Sequence, residues 1–338
     1  MTSRERLRAL IAGQPADRCG FWMGNPHHDT WPGYLAHFGC ADAEALRLKL
    51  RDDFRWHGIQ WGERAYRHPG GYAPFQDLRP EGEREGPILG ACEKPSEIDG
   101  KLHWPDAGHY HFGQNLQNLR DAGPFYRAGG MWCCFYHDLM GLFGMDKYMM
   151  DMIQNPGLVH AVTDRVCQWY YDVNERYFAE AAEWLDGFFL GNDFGTQLDL
   201  ICGPAQFDEF IMPWFRRFTE QGHRFGLQVI LHSCGAIHKV IGRFIDAGVD
   251  CLHPIQALAR GMDAETLARD FGGRITFMGG VDTQQLLVHG DPGQIRAEVR
   301  RLKALLGPRF IVSPSHECLL PNVPAANVAA MAEEAVLP

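Results

Sequence analysis

The chain is expected to fold as a single α/β domain, a (β/α)8 TIM barrel spanning residues 1–338. Three observations predict it. A length of 338 residues exceeds an average domain yet suits one closed barrel without a second core. Eight short apolar segments read as strands, and helical periodicity separates many of them, the alternation expected of parallel strands with crossover helices. Residues able to bind metal or move protons also gather just after several of these strands, where barrels carry their chemistry.

In chain order, residues 2–13 carry Arg4, Arg6 and Arg8 beside Leu7, Leu10 and Ile11. That mixture suits a transit peptide, but Glu5 and the immediate entry into ordered-looking sequence favour an opening helix. The first two strands are read at 21–23 and 56–61. Residues 64–112 then break the rhythm with repeated Gly and Pro, too long for a simple connection. They are expected to form a loop or hairpin insertion between strands 2 and 3, near one mouth of the barrel. The third strand is read at 125–131, the longest helix at 155–181 and the fourth strand at 184–190. A helix at 204–223 begins with Pro204, where a missing N–H is harmless. Strands at 227–231, 251–253, 275–278 and 310–312 complete the eight, with a helix at 292–306 before the last and a final helix from about Pro324.

Composition narrows the function. Hydrophobic residues at 46% and charged residues at 22% describe a chain with a substantial buried core, not a disordered one. A formal charge of −10 argues against a nucleic-acid surface and disfavours a polyanionic substrate, because neither finds the clustered Lys and Arg it needs. No apolar run is long enough to span a bilayer and no signal peptide is visible, so a cytoplasmic protein is expected. Ten cysteines at irregular spacings, with Cys133 and Cys134 adjacent, do not form a secreted disulfide framework; most are expected reduced and buried.

The most informative string is Val229-Ile230-Leu231-His232-Ser233-Cys234-Gly235, a β-rich run that ends in His-x-Cys-Gly before a helix. Residues two apart on a strand face the same way, so His232 and Cys234 can reach one ion at the strand's C-terminal end. Imidazole and thiolate are natural zinc ligands, but two ligands are half a tetrahedral site. Cys318, in Ser313-Pro314-Ser315-His316-Glu317-Cys318 just beyond the last predicted strand, is the candidate third ligand. The plainer reading is a core histidine with two packed thiols.

The opening Ser3-Arg4-Glu5-Arg6, Gly13-Gln14-Pro15 and Asp17-Arg18 resemble the start of uroporphyrinogen decarboxylase superfamily proteins. So do Gly191-Asn192-Asp193-Phe194-Gly195-Thr196-Gln197, the His232 to Gly235 motif, Gly279-Gly280-Val281-Asp282 and the closing Pro-rich segment through Pro324. His-x-Cys with a distant Cys resembles the branch of methylcobalamin:coenzyme M methyltransferases and corrinoid-dependent demethylation systems. The resemblance implies zinc held by His232, Cys234 and Cys318, a thiol or tetrahydrofolate acceptor activated by it, and methyl transfer to or from a corrinoid such as methylcobalamin. Two departures stand out. The loop after the first strand, Met23-Gly24-Asn25-Pro26-His27-His28-Asp29, lacks the arginine with which decarboxylases bind acetate side chains, so decarboxylation is not expected. The context of Cys318 matches that branch's Cys-containing loop only approximately. No Asp-x-His-x-x-Gly corrinoid-ligating motif is present, so a corrinoid is expected to arrive free or on a separate corrinoid protein.

Around this core, Asp193, His316 and Glu317 are the catalytic candidates, as proton acceptors, a fourth ligand or groups that orient a ligand. Asn25, Asn192, Gln197, His253 and Asp282 are the substrate-binding candidates. Each has a structural alternative: loop capping for Asn192, a hydrogen-bonded core residue for His253, and a helix cap for Asp282. His27, His28 and Asp29 stand where the arginines are missing, although surface turns often hold such pairs. Gln256 follows the sixth strand. Trp22, Trp31, Trp132 and Tyr136 can wall a cofactor pocket or simply pack. Two other functions use the same barrel: a metal-assisted lyase or hydrolase, and a non-catalytic corrinoid- or tetrapyrrole-binding protein.

Overall fold

The computed structural model describes residues 1–59 and 65–338. Eight strands form: β1 (Gly20–Phe21), β2 (Phe54–Gly58), β3 (Tyr126–Gly130), β4 (Gly187–Gly191), β5 (Gln228–His232), β6 (Cys251–Ile255), β7 (Thr276–Val281) and β8 (Phe310–Pro314). All eight expected segments are strands, with ends displaced by a few residues. The expected second strand's end at Trp61 and the start of the insertion at Arg64 lie outside the described residues. The strands pair in parallel in the order β1-β8-β7-β6-β5-β4-β3-β2, an α/β barrel sheet with helices packed on its outside. Burial on both faces explains why β4, β7 and β8 read as continuous apolar or small-residue runs without alternation.

Between β1 and β2 the sheet curls shut without a ladder among the described residues. β1 has only two residues, and the seam is carried by the turn before β2. There the Asp53 N–H donates to Phe21 O at 2.9 Å while the Asp53 carboxylate accepts the Phe21 N–H at 3.0 Å. Asp52 accepts the Met23 N–H at 3.2 Å. These two fully buried carboxylates therefore replace the missing strand pairing with side-chain acceptors.

The barrel interior is a cluster of its own. It holds Phe54, Tyr126, Phe189, Ile230, Cys251, Met278 and Ile311 from β2 to β8, with Trp22 just beyond β1. Its lower end is closed by Leu7, Leu10 and Ile11 of the opening helix Ser3–Ile11, which a Thr2–Glu5 capping box starts. The same helix turns Arg4 and Arg8, one turn apart, to the buried Asp186 at 2.8 and 3.0 Å, and Arg6 to Asp53 at 2.8 Å. The arginines that suggested a targeting segment are thus the ties that seat a plug.

Residues 65–112 fold back on themselves through antiparallel bridges Tyr66–Tyr110 and Asp77–Leu102. This insertion leans on the long helix Pro156–Ala181, with Arg165 paired to Asp99 at 2.8 Å and Arg176 donating to the Ala107 carbonyl. The helix expected at 204–223 is interrupted: a π-helical turn, Phe207–Ile211, precedes Met212–Arg224. Pro213 has no N–H to return to the preceding turn, so the hydrogen-bond ladder widens there. Among the described residues, no helix is long and apolar enough to cross a membrane.

Candidate metal centre

Strand β5 ends on His232, and the chain then leaves the sheet under control of its neighbours. The Asn192 N–H donates to His232 O at 3.0 Å and the Ser233 N–H to His253 O at 2.7 Å. The Cys234 N–H donates to Asp193 Oδ1 at 2.8 Å, and the Gly235 N–H to Gln256 Oε1 at 2.6 Å. Gly235 has φ 92°, and a Cβ there would stand 2.2 Å from the Gly195 carbonyl oxygen. The glycine of His-x-Cys-Gly is therefore required by close approach of the β4 and β5 loops. On the other side, the Asn25 N–H donates to Glu317 O at 2.6 Å and the His27 N–H to Leu319 O at 2.9 Å, tying the β1 loop to the β8 loop.

These ties converge on His232, which is 4% exposed. Its Nε2 lies 3.3 Å from Asp193 Oδ1 and 3.5 Å from Cys234 Sγ. Its Nδ1 lies 3.1 Å from His253 Nδ1 and 3.4 Å from Glu317 Oε2. Two sets of potential metal donors result, Asp193–His232–Cys234 and His232–His253–Glu317, each with its ligand atoms within 4.8 Å of one another.

The electrostatics follow from this crowding. Burial works against a charged His232, yet Glu317, Asp193 and Cys234 outweigh it and hold the imidazole well above the ordinary histidine value. Burial would raise the Asp193 carboxyl, but the hydrogen bond and charge of His232, with the Cys234 N–H, bring it down to about 2. Burial likewise opposes the Cys234 thiolate, and His232 and His316 overcome it, so the thiol falls below its usual 9.0. His253, wholly buried and facing His232 and His316, is pushed well below the histidine range and stays neutral.

Of the expected site residues, His232, Cys234, Asp193, Glu317 and His253 come together, and His316 joins them by hydrogen bonding to Cys234. Cys318 lies in the same loop but belongs to neither donor set; its N–H donates to His316 Nδ1 at 3.0 Å, and burial raises its thiol. The side chain of Asn192 is fully engaged, accepting the Tyr136 N–H at 3.0 Å and donating to Cys133 O at 2.6 Å. Asp282 accepts the N–H groups of Gln284, Gln285 and Leu286, capping the short helix Leu286–His289. Gln197 is exposed, with its carbonyl accepting the Arg260 N–H, and Asn25 Oδ1 accepts from Arg47 at 3.2 Å. His27, His28 and Asp29 form a third donor group that shares no residue with His232's two sets.

Two neighbours were not singled out from sequence. Trp56 packs on Trp132 with ring centroids 4.9 Å apart, and Trp132 lies 5.0 Å from His232. Its place two residues after Phe54, on the same face of β2, is the signal that points it inward. His137, whose pKa burial lowers, stands in the field of Asp193 and His232; nothing in its spacing reveals that.

A comparison with curated proteins gives no match. Among solved structures, a methyltransferase from Methanosarcina mazei superposes with a TM-score of 0.68 at 16% identity, covering 99% of this chain and 98% of that one. Similarity at that identity shows the shared fold. The model of the family described as Uroporphyrinogen decarboxylase (URO-D) matches residues 138–336, more than half of the chain and the part that carries β4 to β8 with His232, Cys234 and Glu317. The chain belongs to the uroporphyrinogen decarboxylase family.

Proposed function

We propose that this chain is a zinc-dependent methyltransferase that moves a methyl group between a corrinoid and a thiol or tetrahydrofolate acceptor. The observation that carries the reading is the convergence of an imidazole, a depressed thiol and a carboxylate, His232, Cys234 and Asp193, at the C-terminal mouth of the barrel. A nitrogen, a sulfur and an oxygen donor on the Nε2 side of His232 suit zinc, and Glu317 stands at the other ring nitrogen. Similarity to a methyltransferase of the same fold supports the reaction class. The β1 loop supplies no arginine for acetate side chains, which argues against decarboxylation.

Zinc, when bound, stabilises thiolate over thiol and so makes a nucleophile available near neutral pH. His232, Cys234 and Asp193 would hold it. His253 and Glu317, on the opposite ring nitrogen, fix the orientation of His232, and His316 steadies the Cys234 sulfur. A methylcorrinoid, when bound, would supply the methyl group to the acceptor and keep the electron pair of the bond it gives up. With no corrinoid-ligating motif in the chain, the corrinoid arrives free or on a separate protein.

One observation favours a second reading. With Asp193 beside His232 and Cys318 apart, the donor set has one thiolate instead of two, which leaves zinc a stronger Lewis acid and suits a metal-assisted lyase or hydrolase. The deciding experiment measures zinc in purified, reduced protein and follows methylcobalamin loss spectroscopically with thiols and tetrahydrofolate, wild type against Cys234→Ala. Acceptor-dependent demethylation that Cys234→Ala abolishes is expected. Fully zinc-loaded enzyme inert towards every acceptor, with free or protein-bound methylcorrinoid, overturns the methyltransferase reading.

A further inference from the structure

The mouth around His232 is rich in negative charge and poor in fixed positive charge. Asp193, with a side chain 40% exposed, and Glu317 both turn carboxylates to it. The arginine that reaches the adjoining β1 loop is Arg47, and its guanidinium is already committed to Asp52 at 2.8 Å, Gly24 O at 3.0 Å and Asn25 Oδ1 at 3.2 Å. Among the described residues, no lysine or arginine hydrogen-bonds or ion-pairs with Asp193, His232, Cys234 or Glu317. A zinc ion's two charges would be balanced by the Cys234 thiolate and Asp193, leaving Glu317 with only the imidazoles of His232 and His316, at 3.4 and 3.6 Å, for partners.

On one side the centre meets aromatic rings, Trp132 lying 5.0 Å from His232. Trp132 is half-buried and held in place: a Cβ on Gly191 would stand 2.1 Å from its ring, so only glycine lets the indole lie against the end of β4. Trp56, also half-buried, extends the same wall. Indole faces attract cations and accept neutral apolar groups, whereas an anion brought here loses its water beside a carboxylate and, among the described residues, meets no lysine or arginine paired to the centre.

We infer that the acceptor taken by this site is a thiol with a neutral or positively charged tail, and that sulfonate- or carboxylate-tailed thiols are selected against by Glu317 and the Trp56–Trp132 wall. This rests on the reading that a thiol is the acceptor at the His232–Cys234 centre.

A matched series HS–CH2–CH2–X, with X trimethylammonium, hydroxyl or sulfonate, tests it by calorimetric binding to the zinc-reconstituted protein. Affinities are compared per thiolate, because the tail changes the thiol pKa. The trimethylammonium thiol should bind roughly tenfold or more tightly than the sulfonate, with the alcohol between. Trp132→Phe should keep most of that preference and Trp132→Ala should lose most of it; if the alanine variant does not fold, the wild-type series alone decides. Sulfonate binding as tightly as the cation overturns the inference and leaves the thiol reading standing. Failure of all three thiols to bind a protein that does hold zinc overturns the thiol reading itself, and this inference with it.

Discussion

His232 meets different partners through its two ring nitrogens, Cys234 and Asp193 at Nε2 and His253 and Glu317 at Nδ1. A metal at Nε2 leaves Nδ1 to hydrogen-bond, and the buried pair behind it sets the tautomer. Cys234→Ser should therefore lower zinc affinity by roughly two orders of magnitude or more, while Cys318→Ser should change it less than about threefold, measured by competition with a chromophoric chelator. A large loss in Cys318→Ser would mean that the β8 loop rearranges to bring that thiol in on metal binding. His232 and Cys234 were legible because strand periodicity aims residues two apart in one direction, and Asp193 because it follows the adjacent strand. The place of Cys318 was not, because it lies four residues past the end of β8, where periodicity no longer aims a side chain. Asn192 and Asp282 showed the reverse problem: a polar residue after a strand reads the same whether it faces a substrate or ties down a loop.

At the scale of elements, the β1–β2 seam is the unusual joint, closed by Asp52 and Asp53 and neutralised by arginines from three directions. Arg6 and Arg18 reach Asp53 at 2.8 Å each, and Arg47 reaches Asp52. Removing one partner strands part of a buried carboxylate's charge, so Arg6→Ala should cost about 3 kcal/mol in urea unfolding while leaving zinc content unchanged. A loss below about 1 kcal/mol would show that Arg18 and the backbone donors suffice for Asp53. Strand number and order were readable from apolar runs and their spacing, since burial on both faces leaves a continuous signature. The two-residue length of β1 was not, because its pairing is limited by carboxylates that sit thirty residues later in the chain. The π turn escaped for a similar reason: Pro213 looked like part of a helix that Pro204 had already begun.

Across the whole molecule, acid should loosen the barrel from β2 outward. Burial, helped by Arg55 and Arg127, lowers His57 from 6.5 to about 4, and its Nε2 is buried without a hydrogen-bond partner. The unfolded chain takes up this proton near pH 6.5 and the folded chain only near 4. Stability from this group is thus complete above pH 6.5, is lost as pH falls from 6.5 to 4 by up to about 3 kcal/mol, and levels off below. His57→Gln should flatten that part of the stability–pH curve; an unchanged slope would assign the acid sensitivity elsewhere. Beneath the site, the layer of Trp22, Phe54, Tyr126 and Phe189, with the seated opening helix below it, fills the barrel interior among the described residues. The open end of the barrel is then the mouth around His232. On the proposed methyl-transfer reading, a bulky methyl carrier and a small acceptor would have to share that mouth, so an excess of carrier should slow turnover by shutting the acceptor out.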